Sequence, residues 1–105
     1  MDQYLPGFYK SFRDQYGAVA SGLDRLAATI DQKGGLDERS RRLVKLGIAI
    51  GSRSEGAVRS NARKAAALGL DANQLRQTAL LAITTIGFPS AMAALQSIET
   101  VIADD

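Results

Sequence analysis

The 105 residues include no cysteine and no histidine. Without thiols there are no disulfides, no thiolate metal sites and no thiolate nucleophile. Without imidazole there is no side chain that ordinarily titrates near neutral pH. Metal sites built from carboxylates alone remain, but the acids do not cluster, so neither a metal nor any other cofactor is expected. Proline occurs twice and aromatics make up 6% of the chain, while 46% is hydrophobic and dominated by Ala, Leu and Ile. That balance predicts helices rather than strands. No apolar run approaches the ~20 residues that span a membrane. Met1-Asp-Gln-Tyr-Leu-Pro6 lacks the basic and apolar regions of a signal peptide. The expectation is a cytoplasmic protein with no membrane partner.

A chain of this length suits one domain with a core that needs no staples. Its net charge of +2 is unevenly spread. Arg39, Arg41, Arg42, Lys45, Arg53, Arg59, Arg63 and Lys64 face only Glu55 within their span, whereas Asp2, Glu99, Asp104 and Asp105 lie at the ends. A basic middle of this kind attracts small anions or nucleic acid, or is simply a solvated helix surface.

Along the chain, Phe8, Phe12 and Tyr16 recur every four residues with Tyr9 beside them, predicting a short aromatic-faced helix over 5–16. Such a face covers a core or contacts another subunit. Pro6 fits its first turn. Val19, Leu23, Leu26 and Ile30 mark a second helix, with Gly17 at its joint with the first and Gly34-Gly35 at its end. Asp37 caps the third, with Leu36 as staple and Glu38 at the positive end of its dipole. Its run Leu43–Ile50 is apolar nearly all round, which predicts burial on most sides, apart from a strip formed by Arg42, Lys45, Ala49 and Ser52. Lys45 and Arg42 either snorkel to solvent or line a pocket.

The fourth helix starts near Ser54 and stops at Gly69, with Glu55 and Arg59 as an i, i+4 pair. Its small face, Ala57, Val58, Ala62, Ala65 and Ala66, invites close approach by another helix. Asp71 caps the fifth, whose apolar end Ala79–Ile86 is the expected centre of the protein, with the Thr84 and Thr85 hydroxyls turned back on the helix. Gly87 ends it, Pro89 starts the last helix, and Met92, Leu95, Ile98 and Ile102 give that helix an apolar edge. The acidic tail is expected to fray. The whole reads as an all-α, compact single-domain bundle of about five or six helices.

Leu36-Asp-Glu-Arg-Ser-Arg-Arg-Leu-Val-Lys-Leu-Gly-Ile-Ala-Ile50, the Ala-rich helix ending Ala-Leu-Gly69, and Leu80-Leu-Ala-Ile-Thr-Thr-Ile-Gly-Phe-Pro-Ser-Ala-Met92 together resemble the carboxymuconolactone decarboxylase-like family, which includes the alkyl hydroperoxidase D proteins. The resemblance covers about residues 36–100 as a core, with 1–35 as N-terminal helices. It implies an alkyl hydroperoxidase D-like fold and homo-oligomers, trimers or hexamers, with the active site at the start of the helix after the buried one. The peroxidase branch carries Cys-x-x-Cys-x-x-x-His there, with a Glu twelve residues upstream. That spacing falls on Ser54, Ala57 and Asn61, with Arg42 for the Glu, and all four depart from the pattern. In the lactone decarboxylase branch a Leu-Arg-x-His arrangement matches at Arg59 and fails at Asn61, since an amide cannot take up a proton as imidazole does. No catalytic residue is carried over.

The expected site is therefore a pocket over Gly51–Asn61 held near a second junction, Gly87, Phe88 and Pro89. Arg42, Lys45 and Arg59 are the candidates to hold an anion, helped by the amides opening the fourth helix. Lys45 and Glu55 are the candidates to move a proton. The leading reading is a redox-inactive, oligomeric protein that binds a small carboxylate or plays a structural role, with no thiol peroxidase activity. The alternative is a non-redox lyase or hydrolase acting on a lactone or small carboxylic acid. Nucleic acid is disfavoured as a partner, because no reading helix is evident and the aromatics lie outside the basic stretch.

Overall fold

A computed structural model describes residues 7–104. The architecture is all-α, with no strand among the described residues. The helices are α1 (Gly7–Gln15), α2 (Gly17–Asp31), α3 (Glu38–Ser52), α4 (Glu55–Ala67), α5 (Ala72–Leu81), α6 (Ile83–Ile86) and α7 (Phe88–Asp104). The four-residue α6 shares Ala82 with the end of α5, so the predicted fifth helix is one apolar segment broken at that residue. The chain divides into two units, residues up to Leu36 and residues from Asp37. Leu5 and Pro6, read above as the start of the first helix, lie outside the described residues.

In the first unit α1 and α2 are joined at Tyr16, just before Gly17. Phe12 sits between Tyr9 and Tyr16, at ring separations of 6.3 and 5.4 Å, while Phe8 of the same predicted face is exposed. Arg13 donates to the Asp24 carboxylate and to the Tyr9 hydroxyl, and both partners raise its pKa further above its ordinary value. Helix α2 ends at Asp31 and not at the paired glycines. Gln32 caps it in a right-handed conformation, and neither Gly34 nor Gly35 has a positive φ. The glycines merely lengthen the connection.

The second unit holds a core in which half the buried apolar residues are alanine: Ala49, Ala62, Ala65, Ala79, Ala82, Ala91 and Ala94 beside Leu46, Ile50, Val58, Leu70, Leu75, Ile98 and Val101. Small side chains let α4 and α7 pack closely, as the alanine face of α4 predicted. The buried edge of α7 is Ala91, Ala94, Ile98 and Val101. Met92, Leu95 and Ile102, expected on that edge, flank it and are only partly buried. The expected centre at Ala79–Ile86 is likewise half right. Ala79 and Ala82 are buried, but Leu80 and Leu81 are exposed. The Thr84 and Thr85 hydroxyls both donate to the Leu81 carbonyl, at 3.4 and 3.0 Å.

Polar groups fix the ends of these helices. Asp71 and Gln74 form a reciprocal capping box on α5. Gly69 takes φ +97° after α4, and Arg39 donates to the Leu68 and Gly69 carbonyls at 3.3 and 3.4 Å, tying the start of α3 to the end of α4. Arg76 of α5 clasps Glu99 of α7 through two bonds of 2.9 and 3.1 Å, which hold the Glu99 carboxyl below its ordinary range. Helix α7 extends to Asp104, which pairs with Arg63 at 3.5 Å.

Asp37 accepts the Ser40 N–H at 2.7 Å, and that bond lowers its pKa. Replacing Asp37 with Ala is expected to lower the thermal midpoint by a few degrees at neutral pH, as measured by calorimetry. A lowered carboxylate pKa contributes stability that is complete above the unfolded value of about 3.9 and disappears as pH falls through the folded value. The gap between wild type and Asp37→Ala should therefore shrink in acid. A gap unchanged at pH 2 would show that the carboxylate charge contributes nothing to the cap.

Candidate functional site

The link between α3 and α4 is two residues long, and each has a distinct task. Arg53 ends α3 in the left-handed conformation, φ 60° and ψ 29°, with its N–H donating to the Ile50 carbonyl at 3.0 Å. It is the only non-glycine residue with positive φ among the described residues. A side chain in that conformation costs about 1 kcal/mol that glycine would not. Ser54 then opens α4, its hydroxyl accepting the Ala57 N–H at 3.3 Å. The chain reverses here, and the end of α3 and the start of α4 come to face α7.

Between them lies a cavity of about 100 Å³, lined by Ile50, Arg53, Ser54, Glu55 and Val58 on one side and by Ser90, Ala93, Ala94 and Ser97 of α7 on the other. The α7 residues recur at three- and four-residue steps, so one helix face supplies two hydroxyls around small side chains that leave room for a ligand of a few heavy atoms. Ser97 is 4% exposed, and its hydroxyl has no hydrogen-bond partner among the described residues. No fully enclosed side-chain polar atom in those residues lacks a partner, so the Ser97 hydroxyl reaches open space, and the cavity is the space it lines. At the mouth stand Arg53 and the opening turn of α4, whose unpaired N–H groups carry the positive end of the helix dipole. Glu55 is on the same lip, but its carboxylate is engaged by Arg59 at 3.3 Å.

Of the residues singled out in the sequence, Ser54 and Glu55 line this cavity. Arg42, Lys45, Ala57, Arg59 and Asn61 do not. Arg42 and Lys45 sit half-buried earlier in α3, about 16 and 12 Å of helix rise from Arg53. Asn61 turns its amide onto its own helix, donating to the Ala57 carbonyl at 2.9 Å. Gly87 adopts φ 103° and ψ 158°, a conformation that is essentially glycine's alone, between α6 and α7. Phe88, 59% exposed, and Pro89 begin α7 and bring Ser90 to the cavity without lining it themselves.

Sequence reasoning missed Arg53, Ser90 and Ser97. The first was hidden because left-handed backbone at an arginine has no sequence signature. The two serines did carry one: with Ala93 and Ala94 they form a small polar stripe at helical spacing within an apolar helix. Among the described residues no three acids gather as a metal site would require, and no helix is long and apolar enough to cross a membrane.

A family model, that of the carboxymuconolactone decarboxylase family, matches residues 17–100, which extends the resemblance back through α2. No curated protein matches the chain. Among solved structures, the crystal structure of apo-lpg0406, a carboxymuconolactone decarboxylase family protein from Legionella pneumophila, superimposes with a TM-score of 0.76 over 95% of each chain at 21% identity. At that identity the likeness establishes the fold alone.

Proposed function

We propose that this chain, which belongs to the carboxymuconolactone decarboxylase family, is a redox-inactive, self-associating member that binds a small carboxylate in the cavity between α3, α4 and α7. The observation that carries this reading is the pairing of Arg53 at the mouth with the buried Ser97 hydroxyl inside. A carboxylate needs a cation and several donors in a partly dry site, and the cavity offers Arg53, Ser90, Ser97 and the first turn of α4. Ile50, Val58, Ala93 and Ala94 supply an apolar wall for a short carbon stem.

Redox turnover has no support in the residues. Ser54 and Ala57 occupy the positions of the two thiols, and no cysteine or histidine lies elsewhere in the chain. The lyase reading has less to rest on than binding, because Glu55 is engaged by Arg59 and Lys45 does not reach this cavity.

Calorimetric titration with a series of two- to four-carbon carboxylates tests the proposal. At least one acid is expected to bind, with affinity falling about tenfold in Ser97→Ala, which removes the hydroxyl without adding bulk to the cavity. Chloride and sulfate serve as controls for unspecific anion binding. Absence of binding across the series, or binding indifferent to Ser97, would refute it. Peroxide consumption with a thiol reductant, measured on protein stripped of metal, is expected to stay at the uncatalysed rate. Turnover above that rate would refute the redox-inactive assignment.

A further inference from the structure

The lining of the cavity between α3, α4 and α7 sorts by depth. Arg53, Ser54 and Glu55 are exposed and form its lip, while Ile50, Val58, Ala94 and Ser97 are buried and form its floor. Both charged residues of the lining, Arg53 and Glu55, stand at the lip, and the floor carries a single side-chain polar atom, the Ser97 hydroxyl. Within a helix a hydroxyl ordinarily turns back on a carbonyl of the preceding turn, as those of Ser52, Thr78 and Thr100 do at 2.7, 2.9 and 3.0 Å. Ser97 makes no such bond, although the residue is buried and its oxygen is not sealed off. Its hydroxyl is therefore left for whatever occupies the cavity.

The lip can satisfy a carboxylate without it. Of the first N–H groups of α4, that of Ala57 donates to the Ser54 hydroxyl and that of Val58 to the Ser54 carbonyl, which leaves those of Glu55 and Gly56 beside the Arg53 guanidinium. Val58, on the floor, follows Glu55 by about 5 Å of helix rise, a depth that a chain of about four carbons spans. Between lip and floor Ile50, Val58, Ala93 and Ala94 present carbon only. The floor also decides the charge of what reaches it. No Lys, Arg, Asp or Glu stands there, so a second carboxylate or an ammonium would be buried without a counter-charge. A neutral oxygen meets no such cost, and a serine hydroxyl can donate to it or accept from it.

We infer that the cavity selects a short monocarboxylate bearing a neutral hydroxyl or carbonyl oxygen at its far end, with the carboxylate at the lip on Arg53 and the opening turn of α4 and the far oxygen hydrogen-bonded to Ser97. The inference rests on the carboxylate reading of this cavity and names which carboxylates it takes. Ser97 then discriminates among acids and does not hold the charge. A buried hydroxyl aimed at a ligand oxygen disfavours the analogue that lacks that oxygen, because the hydroxyl is left unpaired against a methyl group.

The test is calorimetric titration of the full chain, wild type and Ser97→Ala, with 4-hydroxybutanoate, butanoate, 2-hydroxybutanoate and succinate. Wild type is expected to bind 4-hydroxybutanoate about tenfold more tightly than butanoate or 2-hydroxybutanoate, and succinate most weakly of the four. In Ser97→Ala the affinity for 4-hydroxybutanoate should fall to that for butanoate, which itself should stay as in wild type. Urea unfolding of the two proteins without ligand should coincide, since the hydroxyl has no protein partner to lose. Butanoate bound as tightly as 4-hydroxybutanoate would overturn the inference and leave the carboxylate reading standing. An equal loss for both acids in a Ser97→Ala protein of unchanged stability would put the carboxylate itself on Ser97, and the same loss with lowered stability would make Ser97 a packing residue; either overturns the inference. Succinate bound most tightly would reveal a counter-charge at the floor and overturn it as well. Binding of none of the four would overturn the inference together with the reading it rests on.

Discussion

Truncating Leu46 to alanine is expected to remove about 4 kcal/mol from the stability of the second unit, near the upper end for a leucine lost from a core. The size follows from what surrounds the site. Leu46 is 0% exposed and its cluster is half alanine, and alanine has no rotamer with which to reach into a hole. The cavity stays open, so the cavity penalty adds almost in full to the lost transfer energy. Against a total stability of ~5–15 kcal/mol for a domain, this is a quarter or more of the whole. The midpoint of urea unfolding should fall steeply at unchanged slope, and the thermal midpoint should drop by on the order of 15 °C. Val44→Ala, two residues away and half exposed, is expected to cost about 1 kcal/mol or less. Equal losses at the two positions would mean that the all-round apolar reading of α3 was right after all and that Val44 is buried in solution.

That contrast shows what could be read from the chain. Helix ends were legible because they rest on local chemistry: Asp37 and Asp71 cap as read, α4 opens at Ser54 where its start was expected, and Gly69 and Gly87 take positive φ where helices stop. Gly34 and Gly35 misled, because glycine permits a left-handed cap without requiring one. Burial was less legible. Periodicity identifies an apolar face but not the partner that covers it, and in α2, α3 and α5 the apolar residues outnumber the surfaces that their own unit supplies. Val44, Ile48 and Leu81, with Val19, Leu23, Leu26 and Ile30 of α2, look like core in sequence and stand exposed for that reason. The site was legible as a position, the α3–α4 junction, through family spacing. Its far wall was legible only as the neighbouring junction Gly87–Pro89; the small polar stripe of Ser90, Ala93, Ala94 and Ser97 is visible in the sequence, but nothing local assigns it to a turn more than thirty residues upstream. The basic middle was over-read as one surface: Arg39 fastens a helix end, Arg59 engages Glu55 and Arg63 engages Asp104.

Arg53→Gly is expected to move stability and binding in opposite directions, and that opposition identifies why an arginine stands at this position. Glycine adopts φ 60° without the clash between Cβ and the following carbonyl, so the variant should gain about 1 kcal/mol, less what the unfolded glycine gains in freedom. The same change takes the cation from the mouth of the cavity. An arginine contact to a carboxylate contributes about 1.5–3 kcal/mol when partly shielded, so binding of the best small acid should weaken at least ~tenfold. Arg53→Lys separates charge from shape: it keeps the left-handed strain and a cation but loses the two-pronged geometry, and should bind between wild type and Arg53→Gly with wild-type stability. Urea unfolding and calorimetric titration on the three proteins check both axes. A variant that gains stability and keeps full affinity would reduce Arg53 to an awkward helix cap. One that loses stability would show that its side chain holds the junction together, and the cavity would then need another cation to explain any carboxylate it binds.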